Sequence, residues 1–280
     1  MLTLWQELTR PELAFLRYAL LVGALASIAL GIVGTMVVTR RISSLAGATA
    51  HASLGGIGAA LFLQQSLIPW ISPMFGAVIG AVSAALVVGV VNLCARERED
   101  TIINVVWALW MSIGLLFLNW TRGYIDWQGY LFGNILLLTG KEVWMTVGLD
   151  LLILVPTLLF YNNILAMSFD GTFAELRGVP VRLIYFALLV LTALSIVLLI
   201  NVVGIILVIA LLTLPAATAG CFTRHLWSTM VLAAVLSCFF VVAGLLASFR
   251  FNLPSGPAIV VLAAAVYLLG LARTAWRKRD

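Results

Sequence analysis

Long apolar runs follow one another along this chain almost without pause, separated by short clusters of charge, glycine and proline. A helix needs about 20 apolar residues to cross the hydrocarbon of a bilayer. Runs of that length fall at 18–39, 44–66, 70–94, 101–120, 142–161, 182–200, 203–221, 227–248 and 255–273. The runs at 182–200 and 203–221 are separated only by Asn201 and its neighbours, so they read as two short helices or as one bent element. The predicted fold is therefore all-α, a polytopic transmembrane helical bundle of eight or nine spans, with residues 18–280 as one membrane domain.

Residues 1–17 stand apart from this pattern. Trp5, Leu8, Phe15 and Leu16 recur at roughly helical spacing among Glu7, Arg10, Glu12 and Arg17, with Pro11 interrupting. That mixture predicts a short amphipathic helix lying in the interface against membrane lipid, not a cleavable signal.

Composition agrees with the pattern. The chain is 63% hydrophobic and 10% charged, too few polar residues to cover a soluble core. The net charge of +5 would suit nucleic acid, but the basic residues sit in short clusters between apolar runs, as orientation signals do. With nine spans, one face carries Arg40, Arg41, Arg96, Arg98, Arg177, Arg182, Arg224, Arg273, Arg277, Lys278 and Arg279, eleven of the sixteen cations. The other carries Arg10, Arg17, Arg122, Lys141 and Arg250. The bias places the C-terminus in the cytoplasm, and removing one span would scramble it. Cys94, Cys221 and Cys238 lie in or at the ends of apolar runs and form neither a CxxC motif nor a disulfide framework.

Two loops carry more than connection requires. The external segment 121–141 holds Tyr124, Trp127, Tyr130 and Phe132, an aromatic density that suits the headgroup layer or an external mouth. The longest cytoplasmic loop, 162–181, mixes apolar residues with Asp170, Glu175 and Arg177, and Gly171, Gly178 and Pro180 break it. It predicts a short helix between Thr172 and Arg177, which either docks a partner or packs on its own spans. Among the spans, Gly76 and Gly80 form a GxxxG pair that lets helices approach closely. Pro215 lies inside the seventh span and predicts a bend.

Polar groups inside a bilayer are expensive, and few occur here. His51 lies in the second span, with Thr49 and Ser53 four apart on one face. Neutral imidazole ligates metals, and it also serves as an interhelical hydrogen-bonding group. Asp150 is the one carboxylate well inside a predicted span, and it either faces a cation path or pairs with a neighbouring helix. Asn92, Asn104, Ser112 and Asn201 read as interhelical hydrogen-bonding groups, with Asn104 and Ser112, like Thr49 and Ser53, retained as candidate pathway-lining residues. There is no GxxxxGK[ST] loop, HExxH, GxSxG or intramembrane carboxylate pair. The chain is therefore expected to be no enzyme, and an ion-coupled secondary transporter relying on Asp150 remains an alternative.

Residues 40–56, RRISSLAGATAHASLGG, resemble the permeases of the zinc, manganese and iron uptake family of ATP-binding-cassette transporters. So do YLFG at 130–133, VGIIL at 203–207, LPAATA at 214–219 and PSGP at 254–257, in the family's order along nearly the whole chain. The resemblance implies a multi-pass protein of a bacterial or archaeal cell (inner) membrane. It implies a homodimer with a path near its two-fold axis, two cytoplasmic ATPase subunits, and an external solute-binding protein that delivers metal. His51 becomes a transient ligand for a divalent ion, with no tightly bound cofactor. The 162–181 loop, with Asp170, Gly171, Glu175, Arg177 and Gly178, becomes the place where the ATPase acts. Many members carry an aspartate four residues before the histidine, and here that position is Gly47. Trp107 and Trp110 stand on the fourth span where some members have a polar or histidine residue. A metal chelate or another small solute is the neighbouring alternative for the cargo.

Overall fold

The computed structural model describes residues 14–66, 68–95, 99–121 and 140–277. The expected interfacial helix over 1–17 lies outside the described residues except for its last four. Those four open the first long helix, α1 (Ala14–Thr39). The aromatic loop likewise falls almost wholly outside them.

After α1 come α2 (Ser44–Ser66), α3 (Pro73–Ala95), α4 (Glu99–Trp120) and α5 (Gly140–Leu159). Two short helices follow, α6 (Tyr161–Phe169) and α7 (Gly171–Leu176). The chain ends with α8 (Val181–Val203), α9 (Ile205–Gly220), α10 (Leu226–Phe251) and α11 (Ser255–Arg277). Eight of these are long and apolar enough to cross a bilayer. The ninth apolar helix, α9, has 16 residues and so a length of about 24 Å, short of a full hydrocarbon crossing.

The break between the sixth and seventh runs falls at Gly204, a few residues beyond the predicted position. Gly204 has φ 84° and ψ 161°, a conformation that a side chain would strain, so the helix ends there and a separate one begins. Asn252, at φ 53°, ends α10 in the left-handed region and donates its N–H to Ser248 O.

The helices form two compact units. One comprises Met36–Tyr130 and Thr157–Ile200. Its centre is α2, whose small residues admit its neighbours to backbone contact. A Cβ on Gly56 would fall on the Gly76 carbonyl of α3, and one on Gly80 would fall on Ala52 O. On the other side, Gly55 meets the Trp110 carbonyl and Gly58 the Gly114 carbonyl of α4. The GxxxG pair therefore packs as expected, but against a second cluster of glycines on α2 that completes the contact. Lipid tails are as apolar as leucine, so such close van der Waals fit replaces water exclusion as the force between these helices.

The other unit comprises Met1–Thr35, Leu131–Pro156 and Asn201–Asp280. Here α1 approaches α10 at Gly31, beside the Ala234 backbone, and α9 at Gly34, beside Leu212 O. The helices α9, α10 and α11 pack on one another, with Gly244 of α10 against Ile259 of α11.

Gly56→Leu is expected to disrupt the α2–α3 contact, costing about 3 kcal/mol or more and lowering the melting temperature by several degrees. Gly47→Ala is the control, because a Cβ there meets nothing within 4 Å and the change should leave stability equal or higher.

Candidate functional site

The second span places His51 about two turns into α2. Its imidazole stacks on the indole of Trp107 from α4, with ring centroids 5.2 Å apart and planes inclined by 28°. Its Nδ1 is buried and has no hydrogen-bond partner among the described residues. An unsatisfied buried ring nitrogen is costly unless a ligand meets it. The stack sets the plane of the ring.

The hydroxyls expected beside it are otherwise engaged. Thr49 is fully buried and donates to Leu45 O at 2.8 Å, and Ser53 donates to Ala50 O at 2.6 Å. Both protons are spent on the helix's own carbonyls, which leaves their oxygens as weak acceptors. On α4, Asn104 and Ser112 are exposed, and Ser112 donates to Ala108 O at 2.7 Å. Among the described residues no three of His, Cys, Asp and Glu group closely enough to hold a metal ion.

Asp150 belongs to the other unit, on α5, and is 9% exposed. Its Oδ1 accepts the backbone N–H of Ala29 on α1 at 3.2 Å, and its Oδ2 is buried without a partner among the described residues. The carboxylate thus tethers two helices, the interhelical role that sequence left open beside a path role. Pro215 is buried in α9, which continues as helix to Gly220. The ring removes a backbone donor, so the Leu211 carbonyl loses its helical partner there.

The segment 162–181 is more ordered than a loop. It contains the last eight residues of α6, which the sequence reading missed, and the predicted short helix, α7. Asp170 is the N-cap of α7, accepting from Phe173 N at 2.9 Å. Gly178, at φ 79°, ends it, while Gly178 N bonds Glu175 O and Val179 N bonds Ala174 O. Arg177 lies over the Phe173 ring at 5.1 Å. Phe169, Phe173 and Leu176 are exposed, the last by 84%. Asp170 and Gly178 therefore shape the helix, Gly171 is its first residue, and Glu175 and Arg177 ring an apolar tip.

One structural tether escaped notice because a basic pair at a span end reads as a topology signal. Arg40 closes α1, and its Nη1 donates to Met167 O of α6 at 2.9 Å. Its guanidinium also lies over the Tyr185 ring of α8 at 5.6 Å, and Asn92 of α3 donates to the Tyr185 hydroxyl at 3.0 Å. Arg40 thus holds α6 at the corner from which α2 departs.

Eight helices long and apolar enough to cross a bilayer, with an exposed helical segment between α5 and α8, define a polytopic membrane protein. Residues 12–274 match the ABC 3 transport family, and the chain belongs to that family. A probable metal transport system membrane protein of Chlamydia muridarum is 37% identical over 247 residues, covering 88% of this chain and 84% of its own. The manganese transport system membrane protein MntC of Listeria monocytogenes is 31% identical over 258 residues, 92% of this chain and 90% of its own. The solved structure of PsaBC from Streptococcus pneumoniae in complex with Fab matches with a TM-score of 0.79 at 29% identity, over 92% of this chain and 91% of that one. A putative metal-chelate type ABC transporter in an inward-facing conformation shares the fold, with a TM-score of 0.73 at 13% identity. The chain is accordingly the multi-pass permease component of a bacterial ATP-binding-cassette importer, with ATP hydrolysis on a separate subunit and a solute-binding partner. The secondary-transporter alternative falls with that assignment.

Arg40→Ala removes the charged hydrogen bond to Met167 O and should destabilise the 161–181 segment locally by about 2 kcal/mol. Limited proteolysis should then cut near Gly178 faster in the variant, with the overall melting temperature little changed.

Proposed function

We propose that two copies of this chain form a homodimer that carries a divalent transition metal ion, manganese, zinc or iron, inward past His51. An external solute-binding protein delivers the ion, and ATPase subunits act on the tip of α7. The observation that carries this reading is the buried, unpartnered Nδ1 of His51, held in orientation by Trp107. The manganese named for the Listeria relative supports the cargo class.

The ion is substrate here, not a resident cofactor. A single nitrogen ligand suits brief residence, because release limits transport when a site binds too well. Asn104 and Ser112, exposed on α4, are the remaining hydroxyl and amide candidates for the path, whereas Thr49 and Ser53 support the helix that carries His51. Asp150 remains a candidate contributor through its buried Oδ2. The apolar tip of Phe169, Phe173 and Leu176 is the surface an ATPase would cover, with Glu175 and Arg177 fixing register at its rim. Pro215 supplies the proposed bend, in a helix too short to cross by itself. The absence of a carboxylate at position 47 favours one second reading, a chelated metal that brings its own oxygen ligands.

In proteoliposomes containing the assembled transporter and its binding protein, His51→Ala should reduce manganese uptake by about tenfold or more. ATPase subunits should still co-purify in normal amount. Unchanged uptake of manganese, zinc and iron would remove His51 from the path, and uptake only of chelated metal would select the second reading.

A further inference from the structure

At the end of α9 the helix stops and the chain turns through residues 221–225 into α10. The end of α11 returns to the same place, and a cavity of about 310 Å³ lies between them, lined by Arg224, Arg273, Thr223 and Thr274 with Gly220–Phe222. That volume equals roughly ten waters. A Cβ on Gly220 would meet nothing within 4 Å, so that edge of the cavity is open space. Phe222 bounds it where its ring faces Gly270 of α11.

The chemistry of the cavity is one-sided. Arg224 and Arg273, both exposed, are its charged lining residues, and no acidic residue lines the wall. Neither arginine has a hydrogen-bonding or ionic partner among the described residues. The hydroxyl of Thr274 donates to Leu271 O at 2.8 Å, and that of Thr223 is shared with Thr229 at 2.7 Å. The guanidinium N–H groups are therefore the donors on offer. Two such planar forks at one polar cavity suit a phosphate, whose oxygens accept them in pairs.

Position selects the source of that phosphate. The cavity lies where α9 and α11 end and α10 begins. Gly23 of α1 meets Val241 of α10 and Gly31 meets Ala234, so α10 runs antiparallel to α1. It starts at the end where α1 leads into the basic pair Arg40 and Arg41, the cytoplasmic end by its charge, and the chain continues into Arg277, Lys278 and Arg279. Basic pockets between transmembrane helices on the cytoplasmic side, followed by a polybasic stretch, recognise anionic lipid headgroups. We propose that this cavity binds the phosphate of an anionic phospholipid of the cytoplasmic leaflet, and so fastens the α9–α10 turn to the end of α11. The site is independent of His51 and of the cargo.

The test uses the assembled transporter in nanodiscs of phosphatidylcholine alone, with added phosphatidylglycerol, or with inorganic phosphate in the buffer. Cys221 lines the cavity and reports on it through its rate of maleimide modification, resolved from Cys94 and Cys238 by peptide mass mapping. Phosphatidylglycerol should slow Cys221 labelling by about tenfold and leave the other two cysteines unchanged. Arg224→Gln with Arg273→Gln should abolish the protection, and Arg224→Lys with Arg273→Lys should keep most of it. Inorganic phosphate alone should protect little. Equal protection by phosphate would keep the anion site and reassign its ligand to the free ion. Labelling of the unmutated chain at one rate in all three conditions overturns the proposal, and so does full lipid protection of the glutamine pair. The unmutated comparison decides even where the glutamine pair does not assemble.

Discussion

At Gly55, Gly56 and Gly58, α2 comes so near α3 and α4 that hydrogen is the largest side chain the contact allows. Everything in that unit is arranged around this approach. In hydrocarbon, helices gain little by merely hiding apolar surface from one another, so they hold together by fit. A helix that fits on two sides is immobile at backbone level, and α2 is the helix that carries His51. The ring plane of the histidine is set in turn by Trp107, which comes from one of those fitted neighbours. Precision at the imidazole thus descends from the absence of side chains a turn away.

The scarcity of polar groups works in the same direction. Thr49, Ser53, Ser27 and Thr35 are buried and return their hydroxyl protons to carbonyls of their own helices. Four buried side-chain atoms are left without partners among the described residues: His51 Nδ1, Asp150 Oδ2, Arg40 Nε and Ser237 Oγ. The first two lie in different units and have different surroundings. The imidazole is bracketed by an aromatic ring, whereas the carboxylate is already half engaged by the backbone of α1.

Much of the architecture was legible because hydrophobic length is a strong signal. The apolar helices begin and end within a few residues of the runs read from sequence, and the short helix before Arg177 was visible from its breakers. Three features were not. The partner of the Gly76/Gly80 pair depended on tertiary contact, since glycines crowd several spans. The helix Tyr161–Phe169 was hidden because it continues almost directly from α5, with Phe160 as its only interruption. Arg40 was counted as a charge, and its bond to a carbonyl 127 residues away has no local pattern. For the site, sequence singled out His51 but could not tell that Thr49 and Ser53 look inward to their own backbone.

The empty neighbourhood of Gly47 has an evolutionary meaning. In many members of the family an aspartate occupies that position, one helical turn before the histidine. Here no atom stands within 4 Å of where its Cβ would be. Two of the four glycine codons lie one base from an aspartate codon, and a Cβ at this position has room. A lineage carrying this scaffold can therefore exchange a hydrogen for a carboxylate one turn from His51 in a single mutational step, without first redesigning the helices packed around it.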